Sequence, residues 1–250
     1  MNSKGKFGLI YADDFSVACT INNFKKEEVL QYFINRVSFY AFNGGEMEAA
    51  ALCATRIVVN CKELINAEAQ PVTDRKVQLI SLKYIALLSD LEGNIYFSAA
   101  DKMKESFILM KEWEKDMMPY VDYPKIFELE NDQFLVLTFD FNLLCRMNGV
   151  TAGEVLQHFI DGISLAIERA GEQSGPLEKD LRSTLFRIMI LSRSMKKERS
   201  AIEQDIYDWY ADRLLSLDER LQKEESIDKK ISVYRAFYLD WYNTLKRNVG

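Results

Sequence analysis

The sequence predicts a mainly α-helical fold made by tandem duplication of a strand-plus-five-helix unit, the two copies related by a pseudo-twofold axis and their short strands pairing antiparallel. Three observations predict it. The stretch "DFSVACTINNFKKEEVLQYFINRVSF" (14–39) returns as "DFNLLCRMNGVTAGEVLQHFIDGISL" (140–165) with 11 identities in 26 positions, where composition alone gives roughly one or two. Only 11 Gly and 4 Pro interrupt 250 residues that are 48% hydrophobic and 28% charged, a balance of long helices and few loops. Each copy opens on a short apolar run of strand length, "FGLIYA" and "QFLVLT".

The elements follow in order. Asp14 and Asp140 come just after the strands, where a carboxylate can accept the free N–H groups of a short helix's first turn. Asn22-Asn23 and Asn148-Gly149 close that helix, being residues that tolerate the left-handed conformation. The spacing of "TAGE" (151–154) is that of a capping box, with Glu154 reaching back, and Glu28 stands equivalently behind Lys25. Next comes an amphipathic helix whose core stripe is Val29, Leu30, Phe33, Ile34, Val37 and Ala41, reproduced by Val155, Leu156, Phe159, Ile160, Ile163 and Ile167. Longer helices are expected near 24–42, 46–65, 74–92 and 98–118, and again near 151–170, 177–198, 201–222 and 226–247. Two prolines in "PYVDYPK" (119–125) disfavour continuous helix. The chain therefore reads as a first copy (1–120), a Pro-containing linker (121–125) and a second copy (126–250), which can pack as one globular unit.

Opposite the core stripe lies a polar one. Capping explains Glu28 and Glu154, but Gln31, Asn35 and Ser38, with Gln157, Asp161 and Ser164, have no such task and form the candidate interaction surface. Tyr207, Trp209, Tyr210, Tyr234, Phe237, Tyr238, Trp241 and Tyr242 gather on the last two helices at spacings that pack one helix against the next.

Several function classes are disfavoured. Net charge is −6, with 15 basic and 17 acidic residues in 1–125 and 17 and 21 in 126–250, so neither half is a basic module. Cys19, Cys53, Cys61 and Cys145 form no CxxC pair and read as packed thiols. The single histidine, His158, stands where the other copy has Tyr32, a packing position. Without Walker, GxGxxG, HExxH or GxSxG motifs, no catalytic residue, metal ligand or cofactor is expected, and the protein reads as a non-enzyme. No signal-peptide core and no run of 18 apolar residues occurs, so the expectation is a cytoplasmic protein with no membrane partner.

The leading reading is a non-catalytic α-helical protein-interaction or regulatory protein with a protein partner. The alternative comes from element order: strand, short helix, Asn-Gly turn and second helix, over about 35 residues of each copy, resemble the ribbon-helix-helix family. That resemblance implies a DNA-binding regulator, with Lys25 and Thr151 at helix N-termini and Arg193, Lys196 and Lys197 of the basic run "RSMKKER" as phosphate contacts. Nucleic acid ranks second because neither strand carries the alternating polar side chains that read base edges.

Overall fold

Helix prevails because apolar residues recur at helical spacing and the breakers cluster between segments. The computed structural model describes residues 8–43, 48–64, 75–121, 125–130, 133–172, 180–192 and 198–249. In order these form α1 (Asp13–Ile21), α2 (Lys26–Arg36), a 3-10 turn (Tyr40–Asn43), α3 (Ala49–Leu64), α4 (Arg75–Gly93), α5 (Ala99–Met117) and a second 3-10 turn (Met118–Tyr120). Strands β1 (Ile126–Glu128) and β2 (Phe134–Val136) follow, then α6 (Phe139–Asn148), α7 (Ala152–Asp161), α8 (Leu165–Glu172), α9 (Leu181–Leu191), α10 (Ala201–Leu221) and α11 (Ile227–Val249). Among the described residues no helix is long and apolar enough to cross a membrane.

The chain divides into two compact units, each discontinuous in sequence: Met1–Leu9 with Gln31–His158, and Ile10–Leu30 with Phe159–Gly250. Each draws on residues from both sides of 121–125. In the first unit, α3 packs on α6 and α4 on α5, around buried Phe33, Phe39, Trp113 and Phe141. Its small sheet is an antiparallel hairpin pairing Ile126 with Val136 and Glu128 with Phe134. In the second unit, α11 is the central helix, packed by α1, α8 and α10, over a core of Val17, Ala166, Ala170, Tyr210, Tyr234 and Trp241.

Local geometry recurs 126 residues apart. Phe24 N–H bonds Cys19 C=O at 2.9 Å, and Val150 N–H bonds Cys145 C=O at 3.0 Å. Asn22 Nδ2 caps Ala18 C=O as Asn148 Nδ2 caps Leu144 C=O, at 2.9 and 2.8 Å. Both turns need a left-handed residue, supplied by Asn23 (φ 56°) and Gly149 (φ 67°). The following helices start alike, with Glu28 and Glu154 accepting from the N–H of Lys25 (3.2 Å) and Thr151 (2.7 Å).

Four expectations are corrected. The antiparallel pair joins 126–128 to 134–136, while residues 8–12 form no strand; hairpin closure through a short loop is local and needs no distant partner. The helices expected over 24–42 and 151–170 each break, at Val37-Ser38 and at 162–164, so the segment after each break takes a new phase. Ile167, expected in the core, is exposed for that reason. Asp14 and Asp140 lie inside the first turn instead of capping it: Thr138 caps α6, accepting from Phe141 N–H at 3.3 Å, and Ala12 precedes α1.

Candidate interaction surface

The polar stripe has mostly structural work. Residues 125, 127 and 129 of the hairpin face their partners across the ladder, as Leu137 N–H to Lys125 C=O at 2.9 Å and Leu129 N–H to Gln133 C=O at 2.8 Å indicate, so Val136 turns its own N–H and C=O outward. The Gln31 carboxamide meets both. Its Oε1 accepts from Val136 N–H at 2.8 Å, and its Nε2 donates to Val136 C=O at 2.9 Å and to Asn35 Oδ1 at 2.8 Å. One side chain thus stands in for a third strand, and its bonding capacity is largely spent.

Ser38 and Ser164 leave the helix faces altogether. Ser38 sits in the break after α2, its N–H and C=O both bonded to the Thr55 hydroxyl at 3.0 and 3.1 Å. Ser164 is buried and caps α8, accepting from Ile167 N–H at 3.3 Å. Gln157 and Asp161 stand four apart on α7, as Gln31 and Asn35 do on α2. The structure therefore keeps the Gln–Asn and Gln–Asp pairs on helices and separates both serines from them.

The aspartates expected as caps reach other elements. Asp140 Oδ2 accepts from Phe39 N–H at 2.9 Å, tying α6 to the end of the α2 segment. Burial raises the Asp140 carboxyl above its usual range, with the Phe39 N–H opposing and Glu114 adding to the rise. Asp14 takes a two-toothed grip from Arg235, at 3.1 and 2.9 Å, tying α1 to α11.

For phosphate contacts, Arg193, Lys196 and Lys197 lie outside the described residues. The Thr151 hydroxyl is enclosed in its capping box, receiving Glu154 N–H at 3.2 Å and donating to Glu154 Oε2 at 2.8 Å. That carboxylate occupies the helix N-terminus where an anion would sit. Lys25 has the same arrangement, its N–H held by Glu28.

Nucleophiles are quiet. Burial pushes the Cys19 thiol up to about 12 and raises Cys145 and Cys53, so the reactive thiolate is scarce at neutral pH. His158 is buried on α7. Among the described residues no group of three or more His, Cys, Asp or Glu gathers as a metal site.

Two helical hairpins, α4–α5 and α10–α11, share a feature that sequence reading missed. Tyr84 stacks on Trp113 (5.8 Å between ring centres, 8° between planes) and Tyr210 on Trp241 (5.2 Å, 5°). Each phenol bonds a residue three places beyond the tryptophan: Tyr84 donates to Asp116 at 2.7 Å, and the Tyr210 and Thr244 hydroxyls are 2.8 Å apart. Serines cap α5 and α11 alike, Ser98 taking Asp101 N–H at 3.2 Å and Ser226 taking Lys229 N–H at 3.3 Å.

Their surroundings differ. On α11, the small residues Ala166 and Ala170 let α8 approach Tyr234 and Trp241. Behind them Asp218 is held by Tyr234 (2.7 Å) and by Arg169, whose guanidinium also reaches Glu172 at 3.0 Å. The bond to Asp218 raises the Arg169 pKa further, and burial, then that same carboxylate, raises the Tyr234 phenol. On α5, Phe39 (5.2 Å from Trp113) and Tyr40 (5.0 Å from Phe107) supply ring contacts. Burial and the bond to Glu114 push the Tyr40 phenol up to about 12.

The α4–α5 hairpin also leaves large apolar residues open. The turn Asn94–Ser98 presents Ile95 (85% exposed), Tyr96 (91%) and Phe97, held by an Asn94 side chain accepting from Tyr96 N–H at 2.9 Å. An open groove of ≈ 450 Å³ runs along α5, lined by Ala100, Met103, Lys104, Phe107, Ile108 and Lys111. The matching turn of α10–α11 is Gln222-Lys223-Glu224-Glu225-Ser226, which is charged. No family model matches this chain, and no curated protein or solved structure is significantly similar to it.

Proposed function

We propose that this chain is a non-catalytic helical protein-interaction or regulatory protein, built by internal duplication, that holds a protein partner with the α4–α5 arm. The observation that carries this reading is the contrast in cover: α11 is sheathed by α1 and α8, while the arm leaves Ile95, Tyr96, Phe97, Met103 and Ile108 in solvent. Contiguous exposed apolar surface on a protein of this kind marks a contact site. The duplication is supported by the paired turns and caps 126 residues apart and by the two Tyr–Trp stacks.

The partner lies against the turn 94–98 and the α5 groove, where Lys104 and Lys111 flank the apolar line. An aromatic anchor at the tip with a cationic rim is a common interface plan. Gln31 takes no part, its carboxamide being engaged at the sheet edge.

The test replaces Ile95, Tyr96 and Phe97 together by serine and purifies parent and variant side by side from the native host. A protein recovered with the parent and lost with the triple variant, at unchanged circular dichroism, supports the proposal. Equal recovery, or no reproducible partner with the parent, rejects it.

A further inference from the structure

We infer that the outer edge of α4 is a self-association surface and that its occupant is α4 of a second copy, lying antiparallel about a twofold axis. This rests on the interaction reading but concerns the side of the arm turned away from α5. Val77 and Tyr84 are the buried residues of α4. Stepping by three and four, Arg75, Leu79, Leu82, Ala86, Ser89 and Gly93 fall on the opposite side. Leu79 is 56% and Leu82 63% exposed.

The order of sizes along that line is what specifies the occupant. Large residues stand in its N-terminal half and small ones in its C-terminal half. An antiparallel second copy sets Leu79 against Ser89, Leu82 against Ala86 and Arg75 against Gly93, a large-to-small pairing that lets two helices approach closely. A parallel copy would set leucine on leucine and leave the small residues facing each other across a gap.

Charge agrees with the same register. Arg75 and Lys76 make one end of α4 basic, and Asp90 and Glu92 make the other acidic. In the antiparallel pair Lys76 of each copy, which rests 5.7 Å from the Tyr120 ring, faces Asp90 of the other, and Gln78 faces Glu92. Glu92 keeps its own distant contact to Lys102 at 3.9 Å. At the axis Ile85, itself exposed, meets its own copy on one flank. On the other flank two Lys83 side chains meet, each already matched by its own Asp116 at 3.2 Å. The contact is isologous, the same patch on both copies. Spanning a helix about 28 Å long, it belongs to the smaller class of interfaces and calls for a dissociation constant of about micromolar order.

Sedimentation of the full chain over roughly 1–100 μM tests this. The expected result is a monomer–dimer equilibrium that weakens about tenfold or more in Lys76→Asp and in Asp90→Lys, and returns when the two are combined. A second measurement uses Leu82→Cys with Ala86→Cys: mild oxidation should yield a covalent dimer with both present and none with the parent chain. A chain that stays monomeric throughout, a combined charge swap that does not restore association, or a cysteine pair that fails to cross-link would overturn the inference. A parent chain that forms no dimer, while partner recovery through the 94–98 turn is intact, would sink this proposal and leave the interaction reading standing.

Discussion

The hairpins α4–α5 and α10–α11 are closed by the same aromatic stack, yet one is wrapped by two further helices and the other extends an apolar turn into solvent. The difference traces to a short segment. Leu165–Glu172 forms the two-turn helix α8, with alanines at 166 and 170 facing α11. Beside the α4–α5 hairpin, residues 40–43 make a 3-10 turn, with Tyr40 stacked 5.0 Å from Phe107. Cover by a packed helix thus separates a buried face from an available one. The comparison teaches that the stack fixes the hairpin, whereas the element laid over it decides whether the hairpin is core or contact surface.

The largest expected effect comes from breaking the shared stack. Trp113→Ala and Trp241→Ala should each cost about 3–5 kcal/mol, the range for emptying a large aromatic site, in urea unfolding followed by circular dichroism. Similar losses would mean the two stacks do equal structural work. A Trp113 loss below about 1 kcal/mol would mean that the arm is held by something else.

Removing the buried charge behind α11 should act on that unit alone. Asp218→Ala leaves Arg169 and Tyr234 without their acceptor, and the expected loss is about 2–3 kcal/mol, reduced from that of a fully buried pair because Arg169 keeps some solvent. Protection of α11 amides in hydrogen exchange should fall while that of α5 stays unchanged. Equal loss in both helices would mean that the two hairpins are not held separately.

Smaller still is the sheet edge. Gln31→Ala removes both bonds to Val136, worth about 1–2 kcal/mol together. Faster exchange of the Val136 amide is the direct readout, and unchanged exchange would show that the carboxamide is dispensable.

The mildest effect is expected from Asp140→Asn, which keeps an acceptor for Phe39 N–H. Because burial raises the Asp140 pKa, the folded state retains its proton over a window above the ordinary carboxylate value where the unfolded chain has lost it. Stability therefore falls as pH rises through that window. The asparagine variant should lose this slope and equal or exceed the parent in melting temperature at neutral pH. Asp140→Ala should instead be destabilised, since it strands the amide. A variant with the parent's pH profile would assign the slope to another group.

How much of this was legible in the sequence varied with the range of the interactions. The turns at Asn22-Asn23 and Asn148-Gly149 and the capping glutamates were readable because backbone geometry there depends on nearby residues. The aromatic packing of α10 on α11 was readable from helical spacing. The breaks at Val37-Ser38 and 162–164 were not, since apolar residues continue through them in nearly helical register. Strands of three residues, β1 and β2, are too short to show alternation. Gln31 was recognised as lacking a local task, but its partner is 105 residues away. The equivalence of Tyr84 with Tyr210 was not legible, because their immediate neighbours differ, Lys83 and Trp209 preceding them.

The Gln31 latch has one more consequence. Ile126, Phe134 and Val136 already face solvent on the β-hairpin, so the carboxamide is what denies the adjacent backbone edge to any extended chain nearby. Its loss would join an open edge to an apolar face, the combination that seeds strand-by-strand aggregation. A single neutral side chain therefore guards the colloidal behaviour of this edge, and a glutamate at position 31 would replace the donor with a charge facing the Val136 carbonyl, opening the same edge with no change in side-chain size.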